Sequence, residues 1–219
     1  MKYYELHTKV RSLAASLAAL GGIRVRRVDV VDDPVLACGL RVEPAVAVGV
    51  LLDLLEGLAR VLGDQGRQTV FDNFTALHSA HDRDELIRAI ADAELITASV
   101  GVATLSHIAP IIEAGILARN SDKKAVVMAC ENAINASDIL FSAIQKKDNV
   151  LKGAVFCNTA VDRIVPLQHA EHSIDVSVEE FSEWVIDVSK LDQPLDLPGT
   201  IQVTNLEPYL ERKLFTVNT

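Results

Sequence analysis

The sequence predicts an α/β protein with a mostly parallel sheet and helices on both faces of that sheet. Segments typical of strands and of helices alternate along most of the 219 residues, which favours parallel strands joined by helical crossovers. The run Ala-Val-Val-Met-Ala-Cys that ends at Cys130 contains no polar residue, as is typical of a strand covered on both faces. Ligands of such sheets bind at the carboxyl ends of the strands, so functional residues are expected there.

Charge and hydropathy exclude two classes of partner. A chain of 219 residues can bury a sizeable core, but its net charge of −9 argues against binding to the phosphate backbone of nucleic acid. The longest apolar region, residues 42–62, is broken by charged residues and a proline. No membrane span is therefore expected.

The cysteines and histidines predict neither disulfides nor a metal site. Cys38, Cys130 and Cys157 are widely spaced and odd in number, which indicates reduced thiols in a cytoplasmic protein. The histidine pairs at positions 78 and 81 and at positions 169 and 172 each lack the second half of a ligand set.

The first predicted unit is a helix over residues 10–20 and a strand over residues 23–31. Asp29 stands near the end of this strand, where an acidic residue of a Rossmann unit binds the adenosine ribose hydroxyls. A solvated carboxylate would explain the same position. Such sites also need a glycine-rich turn that lets the backbone approach the pyrophosphate, and residues 5–12 contain no glycine.

A second set of elements carries the candidate residues that follow strands. Residues 46–52 predict a buried helix or a hairpin, residues 68–74, 94–100, 123–130 and 153–158 predict strands, and residues 82–93, 105–120 and 134–147 predict helices. The second of these helices is expected to bend or break at Pro110. Ser99, Val100 and Gly101 follow a strand and would face a cofactor, although a simple strand-to-helix turn would explain them as well.

The segments after residue 130 carry further polar residues. Glu131-Asn132 ends one strand, and Asp162-Arg163 lies between Thr159 and Pro166, where a local ion pair is the simplest explanation from the residues alone. Residues 167–200 are rich in turns around an amphipathic segment at 177–188. This segment contains Trp184, which is expected to pack where two domains meet.

The last stretch predicts an active-site helix. Thr204-Asn205-Leu206-Glu207 has the form of a capping box, so a helix is expected to begin near residue 204. At roughly 100° per residue, Lys213 and Asn218 lie about 140° apart and can border one cleft. A lysine beside apolar side chains can act as a base, and an amide can stabilise a developing oxyanion. A surface lysine and a C-capping asparagine would also fit this spacing.

Several segments together resemble the long-chain polyol dehydrogenases. They are Asn73-Phe74-Thr75-Ala76-Leu77, Cys130-Glu131-Asn132, the run from Thr159 to Pro166, Phe181-Ser182-Glu183-Trp184, and Lys213 with Asn218. The resemblance is dense over residues 123–219, fair over 67–120 and absent over 33–64, where either genuine divergence or a misread coding segment would explain the departure. The family's glycine fingerprint is missing, and its active-site histidine would fall two residues beyond Thr219.

The resemblance implies a Rossmann-like dinucleotide-binding domain over residues 1–200, of which 1–64 are atypical, and the first helix of a truncated C-terminal helical substrate domain over residues 201–219. NAD is the implied cofactor, and its implied contacts are Asp29, Ser99, Val100, Gly101 and Asn132. The implied substrate is a small polyol phosphate, and the full-length enzymes of the family are expected to be monomers.

The reaction implied by the resemblance interconverts D-mannitol 1-phosphate and D-fructose 6-phosphate by hydride transfer. Lys213 would be the base, Asn132 and Asn218 would stabilise the oxyanion, and Asp162 would orient the polyol, without a metal. Alternatives are a mannitol 2-dehydrogenase, a hexuronate reductase or a non-catalytic fragment. The chain as written is itself expected to be inactive, because the glycine turn and the rest of the active site are missing.

Overall fold

The computed structural model describes residues 25–28, 38–42, 46–49, 59–63, 68–71, 75–77, 82–162, 176–178, 181, 183–197 and 199–210. The strands are β1 (Val25–Val28), β2 (Cys38–Val42), β3 (Val46–Gly49), β4 (Ala59–Gly63), β5 (Gln68–Phe71), β6 (Thr75–Ala76), β7 (Leu95–Ala98), β8 (Ala125–Ala129), β9 (Ala154–Phe156), β10 (Thr159–Asp162), β11 (Val176–Val178), β12 (Glu183–Asp187) and β13 (Ile201–Val203). The helices with both ends described are α1 (Arg83–Asp92), α2 (Leu105–Leu117), α3 (Ala136–Ala143) and α4 (Lys147–Gly153), with a 3₁₀ turn at Val102–Thr104 before α2, and a further helix begins at Glu207.

The centre of the fold is the parallel sheet β7-β8-β9. Ile96 of β7 lies opposite Val127 of β8, which lies opposite Phe156 of β9. Every residue of β7 and β8 is buried, because their apolar side chains point alternately to two faces that are both covered. The predicted α/β class with parallel strands and helical crossovers is confirmed.

The helices pack against one another through small and branched residues. α1 buries Leu86 and Ile90 completely. A Cβ placed on Gly115 of α2 would overlap the side chain of Ile90, so this glycine sets the distance between the two helices. α2 continues through Pro110 as one helix, so the predicted break there is wrong and the alternative of a bend stays a prediction.

The predicted helix over residues 134–147 is shorter than expected: α3 ends at Ala143, and a second helix, α4, begins at Lys147. Ile144 between them has an extended backbone. The backbone N–H groups of Gln145 and Lys146 donate to Oε2 of Glu113 at 2.7 and 3.1 Å. This carboxylate from α2 satisfies amides at the start of α4 and stabilises the break, a tertiary contact that periodicity cannot reveal.

The segments before residue 82 form two smaller sheets, described here by their backbones. β2 and β3 form an antiparallel pair in which Arg41 lies opposite Val46, so residues 46–49 adopt the hairpin alternative of the sequence prediction. β1 pairs parallel with β6 and antiparallel with β2. β4 pairs antiparallel with β5 and parallel with β11. The predicted strands at 23–31 and 68–74 thus contain β1 and β5, which lie outside the parallel sheet β7-β8-β9 and have antiparallel partners.

A further sheet, β10-β12-β13, lies after the parallel sheet. β10 pairs antiparallel with β12, and β12 pairs parallel with β13. Trp184 of β12 is buried in the main hydrophobic core, which confirms a structural role. Its expected place at a junction of two domains stays a prediction.

The final helix begins at Glu207, three residues later than predicted. The backbone N–H of Glu207 donates to Oδ1 of Asn205 at 2.9 Å rather than to Thr204. The predicted capping box is therefore wrong, because the Glu207 N–H that Thr204 was expected to cap is taken by Asn205 through a local side-chain to backbone bond two residues along. The predicted helix over residues 10–20 lies outside the described residues.

Candidate functional site

Three turns meet at one edge of the central sheet. Parallel strands end on the same side, so the residues after β7, β8 and β9 form a common rim. The rim consists of residues 99–101, 130–132 and 157–159. Hydrogen bonds between side chains and backbone join these turns to one another.

Glu131 joins the first two turns. Its Oε1 accepts hydrogen bonds from the backbone N–H groups of Val100 at 2.5 Å and Gly101 at 2.8 Å. The glutamate residue is only 5% exposed. A buried carboxylate needs such donors to offset the loss of water. The Ser99 hydroxyl adds a third bond, donating to the backbone carbonyl of Cys130 at 3.1 Å.

Gly101 allows the turn after β7 to form. Its backbone has φ 86° and ψ 137°, a conformation that residues with a Cβ rarely adopt. Gly101 stands at the start of the 3₁₀ turn before α2, in which the Thr104 N–H donates to the Gly101 carbonyl at 2.8 Å. Glycine at position 101 is therefore required by the backbone, whatever the site binds.

Ser137 joins the second and third turns at the point where β8 and β9 separate. The ladder between them ends at Val127 and Phe156. Beyond it, the Ser137 hydroxyl accepts a bond from the Ala129 N–H at 2.8 Å and donates to the Cys157 carbonyl at 2.7 Å. The hydroxyl thus replaces a ladder bond between two strands that have begun to part.

Asn158 and Asp138 form a polar cluster beside this point. Asn158 Nδ2 donates to Asp138 Oδ2 at 2.6 Å, and its Oδ1 accepts the Asp138 N–H at 3.3 Å. Lys190 Nζ lies 3.0 Å from Asp138 Oδ1. Burial opposes the charge on Asp138, but the bonds from Asn158 and Lys190 outweigh it and lower the pKa of this carboxyl.

Two thiols lie at the rim of the sheet. Cys130 and Cys157 are both buried and free of disulfides, as expected for reduced thiols. Burial raises the pKa of Cys157 to about 11. At neutral pH it is therefore a protonated core side chain.

The structure brings four of the predicted site residues to one rim. Ser99, Val100 and Gly101 are buried, and Asn132 is exposed directly after Glu131. The hydroxyl of Ser99 and the two amides that follow it already have partners within the protein. A cofactor at this rim would meet the surface of a fixed turn, and Asn132 would offer the exposed polar side chain.

The other predicted site residues lie on β10 or outside the described residues. Asp162 is half-buried at the end of β10, opposite Glu183 of β12. Asp29, Lys213 and Asn218 lie outside the described residues. The proposed arrangement of an ammonium group with two amides therefore stays a prediction.

Sequence reasoning missed three residues that shape the rim. Glu131 was named only as part of a dipeptide, and Ser137 and Asn158 received no role. A glutamate directly after a fully apolar strand is a usable signal, because a carboxylate there must find buried donors. The roles of Ser137 and Asn158 depend on neighbours about twenty residues away and leave no local pattern.

No group of three or more His, Cys, Asp or Glu residues among the described residues could hold a metal ion. In the same part of the chain, every helix is too short or too polar to cross a membrane. Among the described residues, the rim therefore offers fixed backbone groups and the amide of Asn132 rather than a metal centre.

Comparison with known proteins identifies relatives of this chain. The sequence profile described as "Mannitol dehydrogenase Rossmann domain" matches residues 46–198. A protein named mannitol-1-phosphate 5-dehydrogenase from Pseudarthrobacter chlorophenolicus is 44% identical over 189 residues, covering 78% of this chain and 49% of its own length. One of the same name from an Arthrobacter species is 47% identical over 165 residues, covering 72% and 43%.

These matches have two consequences for the extent of the resemblance. The profile begins at residue 46, so the prediction that residues 33–64 carry no resemblance is wrong for residues 46–64. The chain spans about half the length of the curated relatives it matches. Among solved structures, a PanE/ApbA family ketopantoate reductase from Ralstonia eutropha aligns at 14% identity over 71% of this chain and 46% of its own, with a TM-score of 0.45, too low to support a conclusion.

Proposed function

Because the chain belongs to the mannitol dehydrogenase family, we propose that it carries the cofactor-binding part of a mannitol-1-phosphate 5-dehydrogenase, an oxidoreductase that interconverts D-mannitol 1-phosphate and D-fructose 6-phosphate. The observation that carries this proposal is identity of 44–47% to proteins of that name. The rim at the carboxyl ends of β7, β8 and β9 supports it, since cofactors of such sheets bind there.

NAD is the proposed cofactor. An acidic residue at position 29 would hydrogen-bond the ribose hydroxyls and repel a 2′-phosphate, which favours NAD over NADP. The turn at Ser99, Val100 and Gly101 would face the cofactor together with Asn132. Residues 1–200 would form this domain, and residues 201–219 would begin a helical substrate domain, although β13 pairs with β12 across that boundary.

Lys213 is the proposed base. Hydride can leave the substrate carbon only as the hydroxyl proton is lost, so a base must lie within hydrogen-bond reach of that oxygen. Asn132 and Asn218 would donate to the same oxygen while it gains negative charge, each stabilising it by roughly 3 kcal/mol. Asp162 would orient the polyol chain. NAD supplies the hydride acceptor.

Two measurements test the proposal. Titration of the purified chain with NADH, followed by cofactor fluorescence, should show saturable binding. NADH oxidation by a polypeptide of the relatives' full length should be faster with fructose 6-phosphate than with fructose. Preference for fructose would indicate a mannitol 2-dehydrogenase, and reduction of a hexuronate instead would indicate a hexuronate reductase.

A sheet domain that binds no cofactor is the second candidate. It is favoured by the absence of glycine from residues 5–12, where a dinucleotide site needs close approach of the backbone. The amides of Val100 and Gly101 offer no substitute, because Glu131 occupies them. Failure of NADH to bind at millimolar concentration would support this candidate.

A further inference from the structure

We propose that Glu131 is a positioning residue of the cofactor site, acting by accepting two backbone hydrogen bonds and not by transferring a proton. This inference rests on the proposed function, since the site it serves is the one described there.

The contact is a cross-link between two turns. Oε1 of Glu131 accepts from Val100 N and Gly101 N, and Ser99 Oγ donates to the carbonyl of Cys130. These three bonds fix the backbone of residues 130–131 against residues 99–101. Asn132 follows directly, so the starting point of its exposed side chain is fixed relative to the other turn.

The geometry separates acceptance of hydrogen bonds from proton transfer. Both backbone N–H groups donate to the same oxygen of Glu131. The amide oxygen of a glutamine can take the place of Oε1 and accept both bonds, but glutamine cannot gain or lose a proton near neutral pH. Glu131→Gln therefore preserves positioning and removes acid–base capacity, whereas Glu131→Ala removes both.

Glu113 provides a matched control. Its Oε2 also accepts two backbone N–H groups, from Gln145 and Lys146. These bonds stabilise the start of α4 and do not join the turns of the rim. Glu113→Ala thus removes the same kind of contact without altering the candidate site.

The experiment combines amide hydrogen exchange with NADH titration of the whole chain. In Glu131→Ala, the amides of Val100 and Gly101 should exchange at least about tenfold faster, because each loses its acceptor. NADH should bind about tenfold more weakly if only about a tenth of the molecules keep the turn in its binding conformation. Glu131→Gln should retain protection of both amides and bind NADH within about twofold of the unchanged chain.

Each outcome decides the proposal. Glu113→Ala should accelerate exchange at Gln145 and Lys146 and leave NADH affinity unchanged; equal loss of affinity in this variant would overturn a specific role for Glu131. Weak NADH binding by Glu131→Gln with both amides still protected would also overturn it, because charge would then be the cause. If both amides stay protected in Glu131→Ala, Glu131 does not join the two turns and the proposal is overturned.

Two further readouts keep the test valid. Exchange at Val127 in β8 reports whether a variant is folded, and if Glu131→Ala unfolds, the comparison of Glu131→Gln with the unchanged chain decides the question. If the unchanged chain fails to bind NADH, the proposed function fails and the cofactor role of Glu131 fails with it. Amide exchange would then still show whether Glu131 joins the two turns.

Discussion

Substitution of Ser137 by alanine should destabilise the fold at the point where β8 and β9 part. The serine is fully buried, and its hydroxyl accepts from Ala129 N and donates to Cys157 O. Alanine would leave one buried N–H and one buried carbonyl without these partners. At about 1–3 kcal/mol for each unsatisfied group, the free energy of unfolding should fall by roughly 3 kcal/mol.

Urea unfolding followed by circular dichroism measures this loss, and thermal unfolding should show a decrease in Tm of roughly 6–12 °C for a chain of this size. Ser142→Ala is the matched control. Ser142 lies on the same helix and donates to the carbonyl of Asp138 at 2.8 Å, but it is exposed. Water can replace that partner, so a change below about 0.5 kcal/mol is expected.

Amide exchange provides a local check of the same reasoning. The Ala129 amide should lose protection in Ser137→Ala and keep it in Ser142→Ala, because only the first substitution removes its acceptor. Equal stability of the two variants, or an Ala129 amide that remains protected in both, would refute the assignment of Ser137 as the bridge between β8 and β9.

Three more outcomes are expected. Gly101→Ala should lower the free energy of unfolding by roughly 1–3 kcal/mol, because a φ of 86° is strained for alanine. Urea unfolding measures this loss, and an unchanged stability would contradict the positive φ at residue 101. The pKa of Asp138 is lowered in the folded state, so its contribution to stability is present above the unfolded pKa and is lost as the pH falls through the folded pKa. The difference in free energy of unfolding between the unchanged chain and Asp138→Asn should therefore narrow below about pH 4. A difference that widens there would contradict a lowered pKa. In a polypeptide of the relatives' length, Lys213→Ala should lose most of its turnover while NADH affinity stays near normal; retained turnover would show that Lys213 is not the base.

Local sequence patterns predicted the strands of the parallel sheet and its helices, because a buried face requires apolar residues at regular positions in the sequence. The apolar runs of β7 and β8 correspond to strands in which every residue is buried. The predicted helix over residues 82–93 corresponds to α1, which buries Leu86 and Ile90. Family-like segments also predicted membership of the family that the profile match establishes.

By itself, the sequence determined that residues 94–100, 123–130 and 153–158 contain strands, which residues follow those strands, and which family the chain belongs to. Only the tertiary structure decided that Glu113 stabilises the break between α3 and α4, that Asn205 rather than Thr204 caps the final helix, and that Glu131 and Ser137 join the turns of the rim. The physical reason is range: strand and helix patterns arise from neighbouring residues, whereas the partner of a buried polar group is whichever amide or carbonyl the completed fold brings within about 3 Å.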